Sequence, residues 1–163
     1  MKRLFLMRHA KSSWKNGDLI DFERPLNKRG EKDAPMMGGR LKNLDEKIDA
    51  IFTSPANRAL TTAKIVGKIL NIFDGSFFSD KNIYGAGVND LLSAIKNFDD
   101  KFSSVILLGH NPGLTLLQNK LTSKYIDNIP TAGIVKIKID VNFWKDVTTG
   151  SGKMEFFDYP KKK

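Results

Sequence analysis

The sequence of 163 residues contains no cysteine. It can therefore form no disulfide framework, and it offers neither a thiolate nucleophile nor a thiolate metal site. It also lacks an apolar run of membrane-spanning length, and its first apolar run, residues 4–7, ends at Arg8, too early for a signal-peptide core. These absences predict a soluble cytoplasmic protein that has no membrane partner.

The composition that remains is typical of a globular protein. Hydrophobic residues make up 40% of the chain and charged residues 28%, and the length suits a single domain over residues 1–163. The net charge of +9 would attract an acidic partner. Because the lysines are scattered and the run at residues 161–163 is most simply a solvated tail, the sequence disfavours nucleic-acid binding.

Short apolar runs alternate with longer segments of helical periodicity. Strands are predicted at residues 4–7, 48–52, 105–108, 134–139 and 153–157. Helices are predicted at residues 28–44, 56–70, 88–98 and 114–121, and Pro35 and Gly38-Gly39 are expected to interrupt the first of them. The alternation predicts an α/β fold of three layers, in which a mostly parallel central sheet lies between helices.

Three of the predicted strands run into polar motifs. Residues 4–7 precede Arg8-His9, residues 48–52 lead towards Arg58, and residues 105–108 precede Gly109-His110. A single histidine is usually a surface or core residue, but here both histidines of the chain directly follow an apolar strand. Because open α/β sheets bind ligands at the carboxyl ends of their strands, we expect these motifs to meet in one crevice.

This crevice is expected to be positively charged. It would combine two arginines, two histidines and the N-terminal ends of two helices, which Ser54-Pro55 and Asn111-Pro112 would begin. No carboxylate belongs to the motifs. Arginine suits phosphate because its planar guanidinium binds two oxygens at once, whereas two histidines alone make a poor metal site. The pattern therefore predicts a phosphate pocket without a metal.

Taken in order, the motifs resemble those of the histidine phosphatase superfamily, which has the phosphoglycerate-mutase-like fold. The resemblance rests on Arg8-His9-Ala10, on Ser54-Pro55 with Arg58-Ala59 and Thr62-Ala63, and on Gly109-His110-Asn111-Pro112. Three further segments are similar to the SixA-type bacterial phosphohistidine phosphatases: Arg24-Pro25-Leu26-Asn27, Tyr84-Gly85-Ala86 and Pro130-Thr131-Ala132-Gly133. The likeness extends over residues 4–139.

The resemblance implies a role for each of these residues. His9 would be the nucleophile that becomes phosphorylated, Arg8 and Arg58 would hold the phosphoryl oxygens, and His110 would complete the pocket. Water would then hydrolyse the phosphohistidine, and no metal or organic cofactor would be needed. The remaining candidates would cap a helix and contact phosphate, or line the pocket mouth: Asn111, Arg24 and Thr131.

Many members of this superfamily use a carboxylate general acid, and Asp90 is the candidate here. It lies in the first turn of the helix predicted at residues 88–98, where a carboxylate also interacts favourably with the helix dipole. If no acid is present, the pocket suits phosphohistidine, because imidazole is a better leaving group than an alkoxide. Trp14 and Trp144 would either form a protein-docking face beside an open pocket or pack on the core.

Three functions remain open at this point. The first is a phosphohistidine protein phosphatase that needs no metal. The second is a phosphatase or mutase that acts on a small phosphorylated metabolite. The third is an anion-binding or nucleic-acid-binding module without turnover, and the intact set of Arg8, His9, Arg58 and His110 disfavours it.

Overall fold

The computed structural model describes residues 1–162, so the predicted lysine tail at residues 161–163 lies partly outside the described residues. Its six strands form one sheet in the order β3-β2-β4-β1-β5-β6. β1 to β4 run parallel to one another, whereas β5 and β6 are antiparallel to their neighbours. The strands are β1 (Lys2–Arg8), β2 (Ala50–Thr53), β3 (Phe77–Ser79), β4 (Ser104–Gly109), β5 (Ile134–Ile139) and β6 (Gly152–Asp158).

Four helices cover the two faces of this sheet: α1 (Lys28–Asn43), α2 (Asn57–Leu70), α3 (Val88–Lys96) and α4 (Gly113–Leu121). α1 and α2 pack on one face, together with Phe5 and Met7, and α3 and α4 pack on the other, together with Leu4 and Leu6. Side chains of β1 thus alternate between two buried cores, which explains its uninterrupted apolar run. The predicted three-layer α/β fold with a mostly parallel sheet is confirmed. No helix within residues 1–162 is long and apolar enough to cross a membrane.

The first helix forms as predicted, but the expected interruption is absent, because α1 runs continuously through Pro35. Asn27 caps it by accepting a hydrogen bond from the Gly30 amide at 2.9 Å. Gly38 packs so closely on α2 that a Cβ there would lie 2.9 Å from Ile69 Cδ1. The close packing of α1 on α2 stabilises the helix, although Pro35 cannot donate a backbone hydrogen bond within it.

Several short elements escape sequence periodicity. β3 has three residues and pairs only with β2 at the edge of the sheet, and such a segment is too short to show a repeat. Three 3-10 turns, Asp21–Glu23, Lys81–Ile83 and Trp144–Asp146, were likewise not predicted. The first of them carries Asp21, whose carboxylate binds two arginines of the candidate site.

The strand order determines where the polar motifs meet. β2, β4 and β1 are adjacent, and Arg8 at the end of β1 lies opposite Gly109 at the end of β4. The connection after β1 leads to α1 on one face, whereas the connection after β4 leads to α4 on the opposite face. Divergence of two connections from neighbouring parallel strands opens a crevice at their carboxyl ends, the usual ligand site of such sheets.

Candidate active site

A pocket of about 220 Å³ lies at the carboxyl ends of β1 and β4. The motif residues expected there are all present: Arg8, His9, Arg24, Arg58, His110, Asn111 and Thr131. Lys11 and Ser12 line the pocket without having been predicted, and Trp14, one of the two tryptophans considered for a docking face, lines it as well. No acidic side chain is among the lining residues in the described part of the chain.

His9 has the geometry of a nucleophile. Its Nδ1 lies 2.7 Å from the carbonyl oxygen of Ala10, and because a carbonyl can only accept, Nδ1 must carry the proton. Nε2 then holds the free electron pair. Burial lowers the pKa of His9 to about 3, with further lowering by the charges of His110, Arg58 and Arg8, against the opposing hydrogen bond to Ala10. His9 is therefore neutral, and able to attack, at physiological pH.

His110 lies beside His9, with 5.1 Å between the ring centroids. Its Nε2 is 2.8 Å from Ser54 Oγ. Burial lowers the pKa of His110 to about 4, and the charges of Arg58 and Arg8 add to this, while Asp21 opposes it. Both histidines are thus uncharged, which leaves the arginines and Lys11 as the cations that line the pocket.

Ser54 does not cap a helix as the sequence suggested. α2 begins at Asn57, its N-cap is Ala56, and no side chain caps it. Ser54 Oγ accepts a hydrogen bond from the Ala56 amide at 3.2 Å and pairs with His110. The backbone needs Pro55 and Ala56 to turn before helical geometry begins, and this turn places the hydroxyl at the imidazole instead.

The two arginines differ in how they are held. Arg8 donates from Nη1 to the Ile129 carbonyl at 3.1 Å, and its Nε is buried without a partner among the described residues. Arg58 donates from both Nη atoms to Asp21, at 2.8 Å to the backbone oxygen and 3.0 Å to the carboxylate. Burial and the nearby Arg58 lower the pKa of Arg8. A bound anion would relieve this repulsion and offer an acceptor to an unpaired buried donor.

Asp21 is the functional residue that sequence reasoning missed. Its carboxylate accepts hydrogen bonds from the Tyr84 hydroxyl at 2.7 Å, from Arg58 and, at 3.0 Å, from Arg24. Burial by itself would raise the pKa of Asp21, but the hydrogen bonds from Tyr84, Arg58 and Arg24 lower it to about 2. Asp21 is therefore ionised and orients the guanidinium groups rather than donating a proton. The sequence gives only its position three residues before Arg24 as a signal.

Asn111 and the loop before β5 hold the carboxyl end of β1 in place. Asn111 Oδ1 accepts a hydrogen bond from the Thr115 amide at 3.2 Å, in the first turn of α4, although Pro112 rather than Asn111 occupies the N-cap position of that helix. Its Nδ2 donates to the Ile129 carbonyl at 2.9 Å, the same oxygen that Arg8 contacts. The Ala132 amide donates to the carbonyls of Arg8 and His9. These bonds fix the backbone from which His9 projects.

The structure does not bring Asp90 into the pocket. Its Oδ2 accepts a hydrogen bond from the Gly87 amide at 3.0 Å, at the start of α3. It lines a different cavity, together with Asn82 and Asn97. The geometry thus gives Asp90 a structural role in the first turn of α3, where it accepts a hydrogen bond from the N-cap residue and lies at the positive end of the helix dipole.

The two tryptophans also differ in place. Trp144 is fully buried and donates from Nε1 to the Phe102 carbonyl at 2.8 Å, so it packs on the core. Trp14 is 74% exposed and lines the pocket. Within residues 1–162, no group of three or more His, Asp or Glu residues is arranged to hold a metal ion.

Comparison with known proteins agrees with this geometry. The family model of the histidine phosphatase superfamily (branch 1) matches residues 4–73. An uncharacterised chloroplastic protein of Arabidopsis thaliana is 30% identical over 159 residues, which cover 93% of this chain and 72% of the relative. An uncharacterised Mycobacterium tuberculosis protein is 28% identical over 165 residues, covering 95% of this chain and all of the relative.

The fold is likewise similar to a solved structure, that of the protein histidine phosphatase SixA complexed with tungstate. The TM-score is 0.80 at 22% sequence identity, and the alignment covers 96% of each chain. This likeness supports the predicted phosphoglycerate-mutase-like fold at the level of architecture.

Proposed function

Because this chain belongs to the histidine phosphatase superfamily and is therefore a phosphatase, we propose that it hydrolyses phosphohistidine on a protein through a phosphorylated His9. The observation that carries the proposal is His9 itself. Its Nδ1 is bonded to the Ala10 carbonyl, which leaves Nε2 free beside two arginines and a second histidine. The SixA structure binds tungstate, a tetrahedral oxyanion, in a protein of the same fold.

In the proposed first step, His9 Nε2 attacks phosphorus and the bond between phosphorus and the substrate nitrogen breaks. The electron pair of that bond leaves with the substrate imidazole, which is neutral if its other nitrogen carries a proton. Arg8 and Arg58 stabilise the charge that spreads over the equatorial oxygens. In the second step, water attacks the phosphoryl group on His9, and inorganic phosphate leaves with regeneration of the Nε2 electron pair.

Two features of the pocket favour phosphohistidine over an alkyl phosphate ester. No carboxylate lines it in the described part of the chain, and the nearest one we identify, Asp21, is held ionised by its hydrogen bonds. An alkoxide leaving group needs a proton from the enzyme, whereas an imidazole, with a pKa of about 6.5 for its conjugate acid, leaves without one. The reaction as proposed uses only side chains and water.

The size of the pocket favours a protein substrate over a free metabolite. About 220 Å³ accommodates a phosphoryl group and the ring that carries it, but small-molecule pockets usually enclose about 300–1,000 Å³. The rest of the substrate would therefore lie outside, on the pocket rim. The cytoplasmic location suggested by the sequence belongs to the same proposal.

The test compares the wild type with the His9→Ala variant on a protein phosphorylated at histidine. We expect the wild type to release phosphate and the variant to lose at least 1,000-fold in rate, on the order reported for removal of a covalent nucleophile. Quenching the wild-type reaction should also trap an acid-labile, alkali-stable phosphoryl group on the enzyme, and the variant should show none. Full activity in the variant would refute the mechanism.

A second comparison separates the substrate classes. The ratio of kcat/KM for the phosphohistidine protein to that for a simple alkyl phosphate ester should be well above one. Equal or faster turnover of the ester would contradict the proposed substrate while leaving the role of His9 intact.

A further inference from the structure

Trp14 has an unusual combination of exposure and fixed orientation. Its side chain is 74% exposed, yet the Arg24 guanidinium carbon lies 3.2 Å from the centroid of its rings. A guanidinium stacked on an indole is a favourable contact that restrains both groups. The structure thus holds an apolar side chain towards solvent at the edge of the pocket.

The support beneath the indole is itself immobilised. Arg24 is buried, and it donates to the Ser12 hydroxyl, to the Ser13 carbonyl at 3.1 Å and to the Asp21 carboxylate at 3.0 Å. Asp21 also binds Arg58 in the pocket. The indole therefore packs on Arg24, which belongs to the same hydrogen-bond network that orients the Arg58 guanidinium.

Trp14 is one of three exposed apolar side chains in the connection between β1 and α1. Nine large hydrophobic residues are exposed in the described part of the chain. Three of them, Trp14, Ile20 and Phe22, fall in a stretch of nine residues inside the β1–α1 connection. Phe22 packs edge-on against Tyr84, with 5.1 Å between ring centroids. Single exposed hydrophobic residues are common, but several in one connection beside a catalytic pocket are typical of an interaction surface.

Resting on the proposed function, we infer that Trp14, with Ile20 and Phe22, forms the surface on which the phosphohistidine-bearing protein docks. The pocket has room for the phosphorylated side chain alone, so the protein around that side chain must lie on the rim. A preoriented tryptophan is well suited to this role, because little side-chain freedom is lost when the partner covers it.

The charge of the rim indicates the kind of partner. Lys11 and Lys15 are exposed on either side of Trp14 in the sequence, and Lys11 also lines the pocket. The same connection carries exposed Asp18 and Glu23, whereas Asp21 is paired with Arg24 and Arg58. The whole chain carries a net charge of +9. Like charges across an interface are unfavourable, and opposite charges accelerate the encounter. The partner that fits this rim is therefore a protein whose surface around the phosphohistidine is acidic.

The experiment measures kcat/KM for two substrates, an acidic protein phosphorylated on histidine by phosphoramidate and phosphoramidate itself. We expect Trp14→Ala to lower the ratio of kcat/KM for the phosphoprotein to kcat/KM for phosphoramidate about tenfold, mainly through a higher KM for the protein. Trp14→Phe should recover part of the ratio, because a flat aromatic ring remains.

Phe73→Ala is the matched control. Phe73 is 60% exposed and follows α2, which begins at the carboxyl end of β2 and ends at the opposite edge of the sheet. Its truncation should leave the ratio unchanged. A basic protein phosphorylated in the same way serves as the control for charge, and its kcat/KM should be several-fold lower than that of the acidic protein.

The outcomes are distinguishable. If the wild type hydrolyses the phosphoprotein but Trp14→Ala lowers both substrates equally, or neither, the docking surface is refuted and the proposed function stands. An equal or greater kcat/KM for the basic protein would refute the acidic partner. If the wild type hydrolyses phosphoramidate but no phosphoprotein, the proposed function fails, and the docking surface fails with it.

Discussion

Acidification should leave both histidines of this protein neutral at a pH where free histidine is charged. The chain contains only His9 and His110, and burial is the main cause that lowers their pKa values to about 3 and about 4. At pH 5 an ordinary histidine with a pKa of about 6.5 is roughly 97% protonated. On the lowered values, only about a tenth of His110, and less of His9, would be protonated at that pH.

The same shifts make a prediction for stability. A depressed pKa means that protons bind more tightly to the unfolded chain, so the contribution to stability is complete above pH 6.5 and declines as the pH falls towards 3. At about 1.4 kcal/mol per unit, the full loss is on the order of 5 kcal/mol for His9 and 3 kcal/mol for His110. Since a domain of this size is stable by only about 5–15 kcal/mol, marked destabilisation is expected by pH 4.

Proton NMR can test this directly, because two histidines give only two imidazole Hε1 signals. Both signals should stay at the chemical shift of neutral imidazole from pH 8 to pH 5, and the His110→Gln variant assigns the one that remains. In urea, both should titrate near pH 6.5. Addition of tungstate should raise the pKa values in the folded protein, because a bound anion favours the imidazolium.

Titration of either signal near pH 6.5 in the folded, anion-free protein would refute the reasoning. It would mean that the imidazole is solvated, or that a negative charge faces it. The neutral Nε2 of His9 would then not be available across the physiological range.

Two substitutions test the carboxylates. Asp21→Asn should lower kcat/KM for phosphoramidate about tenfold, because Arg58 and Arg24 would exchange charge-assisted hydrogen bonds for weaker neutral ones; an unchanged value would show that the arginines are oriented without Asp21. Asp90→Ala should lower the free energy of unfolding by about 1 kcal/mol in a urea titration, through loss of the bond to the Gly87 amide, with kcat/KM unchanged. A large fall in kcat would instead identify Asp90 as the general acid.

Much of the fold was predictable because its signals are local. The apolar run at residues 105–108 indicated a strand buried on both faces, and β4 is buried along its whole length. The helix predicted at residues 28–44 forms as α1, but its continuity through Pro35 could not be read from local signals, because proline and glycine disfavour a helix interior and the close approach of Gly38 to α2 is a tertiary contact. Local propensity cannot include the free energy of such a contact.

The sequence by itself determined which residues end the strands, and therefore that Arg8, His9 and His110 would be presented at one edge of the sheet. Alternation of strand and helix is enough for this, since parallel strands share that edge. It also supplied the ordered motifs that identify the superfamily.

Only the tertiary structure decided how those residues are held and what surrounds them. It paired the Asp21 carboxylate with Arg58, 37 positions away in the chain. It brought the Ser54 hydroxyl to the His110 imidazole and not to the end of a helix. It also buried Trp144 in the core and left Trp14 exposed at the pocket rim. These outcomes depend on partners that are distant in sequence, and the periodicity of a segment reports its own burial but not the identity of the side chain that will face it.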